Sequence, residues 1–76
     1  MGAFRIMFTD DASHVQTWIG YCGHWYILRI RKPVPTGVAL IELVADWCFE
    51  KICKGELPYW LCEVVLDSLE SSGLER

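Results

Sequence analysis

The sequence predicts an α+β fold, a three-stranded antiparallel β-meander followed by two α-helices packed on one face of it (β-β-β-α-α). Three observations carry this. Apolar and polar residues alternate with period two through much of the first 32 positions. From residue 37 the apolar residues recur instead at helical spacing, and turn-forming or Pro-rich segments separate the two patterns.

Taken in order, Phe4, Ile6 and Phe8 alternate with Arg5 and Met7, which is the pattern of a half-buried strand over 4–8. Residues 9–13, TDDAS, are turn formers. Strands over 14–21 and 24–32 follow, joined at Cys22-Gly23, where Gly supplies the positive φ that a two-residue hairpin loop needs. That loop sets a register in which Tyr21 faces His24, Ile19 faces Tyr26, Thr17 faces Leu28 and Val15 faces Ile30. The other side of the ribbon then pairs Gly20 with Trp25, Trp18 with Ile27, Gln16 with Arg29 and His14 with Arg31. A slip by one residue would mix the two sets, so their separation supports the pairing. Trp25 is expected to lie over Gly20 and cover its bare backbone.

Lys32-Pro33-Val34-Pro35 cannot continue a paired strand and reads as a stiff connector. The helix over 37–54, around which the other elements are organised, has Thr36 as its expected N-cap and Gly55 as its left-handed terminator. Val38, Leu40, Ile41, Leu43, Val44, Ala45, Trp47, Cys48, Phe49 and Ile52 cover over half its circumference, so cover on several sides is expected, with Glu42, Asp46 and Glu50 as one narrow polar stripe. Pro58 suits the first position of a second helix running to residue 71, whose buried stripe is Leu61, Cys62, Val65, Leu66 and Leu69. Glu63, Asp67 and Glu70 form a second acidic stripe, with Trp60 on the same side.

A chain of 76 residues makes one domain, 1–76, and a body of that size buries only roughly 60% of its unfolded surface. Its 53% hydrophobic content, with four Trp, therefore implies apolar surface that another chain covers. The net charge of −3 argues against nucleic acid or an anionic membrane as main partner. No export signal or membrane-spanning run is evident, so a cytoplasmic location is expected and the four cysteines are read as reduced thiols.

No catalytic, cofactor or metal signature emerges. Cys22 and His24 form a C-x-H pair, but their side chains point to opposite sides of the hairpin. Cys48, Cys53 and Cys62 match no usual zinc spacing. The chain is read as a non-enzyme without metal or cofactor.

Two surfaces remain. Carboxylates four apart on a helix repel by roughly 0.2–0.5 kcal/mol per pair, and both helices repeat the arrangement. Glu42, Asp46, Glu50, Glu63, Asp67 and Glu70, with Trp60 as apolar anchor, are therefore the expected contact face for a partner protein with a basic surface. On size and charge layout alone, the leading expectation is an inhibitor that masks a basic, nucleic-acid-accepting patch, as phage-encoded anti-defence (anti-CRISPR-like) proteins do. The other surface is the outer sheet face, where Arg5, Trp18, Trp25, Ile27, Arg29 and Arg31 have an interface composition. It leads to the alternative expectation of a homodimeric structural or regulatory subunit joined through Trp18, Trp25 and Ile27. A single-stranded nucleic-acid binder stacking bases on the same face ranks third.

Overall fold

The computed structural model describes residues 3–71 of the chain. Three strands, β1 (Phe4–Asp10), β2 (His14–Tyr21) and β3 (His24–Arg31), are followed by two helices, α1 (Gly37–Cys53) and α2 (Tyr59–Ser71). The strands form one antiparallel sheet in the order β1-β2-β3, the predicted meander. The chain divides into two compact units, the sheet up to Pro33 and the helix pair from Val34 on.

In the sheet, the β2–β3 register is the one the hairpin loop implies, from Tyr21 opposite His24 to His14 opposite Arg31. Cys22 and Gly23 both adopt positive φ, 52° and 78°, the backbone of a type I′ turn, whose twist matches that of the flanking strands. Cys22 is a costly residue there, since its Cβ crowds the left-handed conformation. Cys22→Asn should stabilise the fold by about 0.5–1 kcal/mol, read as a rise in melting temperature; an unchanged or lower value would mean that the Cys22 side chain matters more than its backbone strain.

β1 is longer than the sequence pattern suggests and runs through Asp10, because the turn proper is Asp11–Ser13. One Asp11 carboxylate oxygen accepts from the backbone N–H groups of Ser13 and His14, both at 2.8 Å, and from the Ser13 hydroxyl at 3.1 Å. These bonds, the His14 one foremost, hold the Asp11 pKa down to about 2. Because the folded value is depressed, this stabilisation is complete above the ordinary carboxylate range and is lost as pH falls through about 2. Lys32, just past β3, links the two outer strands at one end of the sheet, pairing with Asp10 and donating to the Asp11 carbonyl at 2.6 Å.

Val15, Thr17, Ile19, Leu28 and Ile30, all on one side of the sheet, are buried. Phe4 and Phe8 point to that same side yet stay 40% and 38% exposed, contrary to the core role expected of them. Burial on this side is concentrated on the central strand β2 and on β3 and does not extend to the edge strand β1. Thr17 is fully buried, and its hydroxyl oxygen finds no hydrogen-bond partner among the described residues. Desolvating an unpaired hydroxyl is unfavourable by about 1–3 kcal/mol. Thr17→Val keeps the shape and the β-branch, so chemical denaturation should show a gain of about 1 kcal/mol; a loss would reveal a partner for the hydroxyl.

In the helix pair, α1 begins after Thr36, whose backbone is extended but whose side chain makes no capping bond, so Thr36 is the N-cap by position only. It ends on Lys54, with Gly55 left-handed at φ 71°. Gly55 N–H donates to the Ile52 carbonyl and Glu56 N–H to that of Lys51, both at 2.9 Å, which is the Schellman pattern. Pro58 stands one position earlier than predicted: its carbonyl accepts from Leu61 and Cys62, which makes it the residue before the helix.

The breadth of burial expected for α1 is not realised. Only Leu40, Val44 and Cys48 are buried, Leu43, Trp47 and Ile52 are half-buried, and Val38, Ile41, Ala45 and Phe49 are exposed. A chain this short has too little material to close over an apolar helix on more than one flank. In α2 the buried line is Leu61, Cys62, Val65 and Leu69, joined by Leu57 from the preceding link; Leu66, expected in that line, is half-buried.

Candidate functional site: the acidic surface of the helix pair

Three bands follow one another around α1. From the buried line Leu40, Val44 and Cys48, the helical period of 3.6 residues leads to Ile41, Ala45, Phe49 and Ile52, then to Glu42, Asp46 and Glu50. α2 has the same order, from Leu61, Val65 and Leu69 through Tyr59, Cys62 and Leu66 to Glu63, Asp67 and Glu70. All six carboxylate residues of the outer bands are exposed. Glu50 is the only one of the six with an ion pair among the described residues, to Lys54 at 3.5 Å, and an exposed pair of this kind is worth little. Lys51 lies elsewhere on α1, 5.6 Å from the Trp47 ring and 3.6 Å from a Glu56 oxygen.

The middle bands of the two helices enclose an open groove of about 390 Å³, lined by Val44, Ala45, Cys48, Phe49, Ile52, Tyr59, Cys62, Leu66 and the edge of Glu63. Phe49 and Tyr59 are 70% and 68% exposed. Trp60, expected to anchor a partner beside the carboxylates, is half-buried, so exposed aromatic surface on this side belongs to Phe49 and Tyr59. Sequence reasoning missed this groove because it assigned Ala45, Phe49 and Ile52 to the core. The available signal was that α1 carries more apolar residues than one packed neighbour can cover.

Cys48 and Cys62 meet at the groove floor, where burial, helped by the contact with the Cys62 sulfur, pushes the Cys48 thiol up to about 12. Burial raises the Cys62 thiol as well. Cys22 and Cys53 are exposed, and all four cysteines are free thiols. Native alkylation should therefore modify Cys22 and Cys53 quickly and Cys48 and Cys62 only on unfolding, as peptide mass mapping over time would show. Rapid labelling of Cys48 would mean that the groove opens. Since its folded pKa is raised, the stability that Cys48 contributes is whole below pH 9 and is lost as pH climbs towards about 12. Among the described residues no three His, Cys, Asp or Glu are grouped to hold a metal ion, and no helix is long and apolar enough to cross a membrane.

Comparison with protein-family models, with curated protein sequences and with solved structures finds no match.

The outer sheet face is ordered as the register implies. Rows Arg5–Gly20–Trp25 and Met7–Trp18–Ile27 run across the three strands. A Cβ on Gly20 would stand 3.1 Å from two Trp25 ring carbons, so the indole does lie over this glycine. Trp18 meets Trp25 edge to face at 6.4 Å and donates its ring N–H to the Thr9 hydroxyl at 2.9 Å. Trp18 is half-buried, whereas Met7, Trp25 and Ile27 are 45%, 50% and 40% exposed and Arg5, Arg29 and Arg31 are exposed. The charges are segregated along the chain: Arg5, Arg29, Arg31 and Lys32 belong to the sheet unit, and every acidic residue except Asp10 and Asp11 follows it.

Proposed function

We propose that this protein is a non-enzymatic binding protein that acts by occupying a basic surface of a partner protein, with Glu42, Asp46, Glu50, Glu63, Asp67 and Glu70 as its contact face. The observation that supports this is the exposure of six carboxylates in two rows, five of them without an ion-pair partner among the described residues. Uncompensated like charge on neighbouring turns disfavours the isolated helix, and a cationic partner removes that cost. The consequence of such binding is inhibition: a basic patch that accepts nucleic acid is masked by an acidic surface, the mode of action of phage anti-defence proteins. The test is affinity capture from the native host, with and without nuclease, using the unmodified protein and an Asp46→Lys/Glu50→Lys variant. A protein partner that survives nuclease and is lost with the variant is expected. A partner held equally by both, or recovery of nucleic acid alone, would overturn the reading.

A second reading, a homodimer joined through the outer sheet face, is favoured by the exposure of Met7, Trp25 and Ile27 in adjacent rows. Light scattering at tens of micromolar distinguishes it, since a stable dimer persists at about that concentration. A dimer that Ile27→Glu converts to a monomer would support it.

A further inference from the structure

The groove between the two carboxylate rows says what kind of basic surface fits. Its floor is formed by Val44, Cys48, Cys62 and Leu66, and Phe49 and Tyr59 stand at its rim. Its walls are helices, whose backbone N–H and C=O groups are bonded within the helix and offer nothing to an incoming main chain. An extended segment laid into it would leave its own backbone groups unpaired on an apolar floor. A helix brings its backbone bonds with it. The acidic row of α1 runs from Glu42 to Glu50, which at 1.5 Å per residue is about two turns.

We propose that the groove receives one amphipathic, basic α-helix of the partner. A large apolar side chain seats between Phe49 and Tyr59, with Lys or Arg on both flanks meeting Glu42, Asp46 and Glu50 on one side and Glu63, Asp67 and Glu70 on the other. The inference rests on the acidic face being the functional one, as proposed above, and adds the shape of the ligand. The helices of a second copy do not qualify, because they would set carboxylates against carboxylates.

A synthetic Leu–Lys peptide with leucines at helical spacing i, i+3, i+4 and i+7 serves as probe, and a scrambled peptide of the same composition as control. Amide chemical shifts of the full chain report the site. The helical peptide is expected to bind about tenfold more tightly than the scramble, shifting Ala45, Phe49, Tyr59 and Leu66. Ala45→Arg, which fills the groove from an exposed helical position, and Phe49→Ala should each remove that preference while the circular dichroism spectrum is kept. Equal binding of both peptides, with shifts confined to the carboxylate rows, would overturn the helix-in-groove inference and leave the acidic face standing. Binding of neither would overturn both. Shifts centred on Trp18 and Trp25, or self-assembly that Ala45→Arg abolishes, would overturn the inference in favour of the sheet face or of a second copy.

Discussion

Leu61→Ala is expected to remove a substantial part of the protein's folding stability, read as a much lower urea midpoint. Leu61 is fully buried at the start of α2, and a leucine truncated at such a site costs about 2–5 kcal/mol through lost transfer energy and the cavity left behind. A domain of this length has a total stability on the order of 4–11 kcal/mol, so the substitution removes from about a fifth of it to all of it. Phe49→Ala is the matched control. Phe49 is the larger side chain and lies on the apolar side of its helix, yet it is 70% exposed, and its loss should change stability by less than about 0.5 kcal/mol. Urea denaturation followed by circular dichroism compares the two directly. If Phe49→Ala costs as much as Leu61→Ala, the groove is closed in solution and the docking surface does not exist.

Reversing Asp46 and Glu50 together to lysine is expected to slow association with a basic partner by about tenfold at low salt and to flatten the dependence of the association rate on ionic strength. The effect acts through the long-range field, which salt screens over about 8 Å under physiological conditions. Dissociation should change little, because exposed carboxylates at the rim lose little hydration on binding. Phe49→Ala should do the opposite, speeding dissociation with association nearly unchanged, since an aromatic side chain contributes desolvated contact area. Surface-binding kinetics at two salt concentrations separate the two effects. Association rates unaffected by the double reversal would remove the acidic rows from the interface. Both substitutions lie at exposed positions, so neither should disturb folding.

Strand order, hairpin register and helix positions were legible in the sequence because each follows from a local rule. Cys22-Gly23 allows one tight loop, a two-residue loop allows one register, and that register separates the Val15, Thr17, Ile19, Leu28 and Ile30 face from the Trp18, Trp25 and Ile27 face. The same logic placed Trp25 over Gly20 and Gly55 at the end of α1. The exposure of the acidic rows was equally readable, since carboxylates at helical spacing with no apolar neighbour in their row have no reason to leave water. How far burial extends was not legible. A helical wheel reports which side chains prefer to leave water and says nothing about how much of the rest of the chain is there to cover them. Ala45, Phe49 and Ile52 are as apolar as Leu40, Val44 and Cys48, and only the tertiary structure, by bringing Cys62 against Cys48 and leaving the neighbouring flank open, made the second set core and the first set a groove.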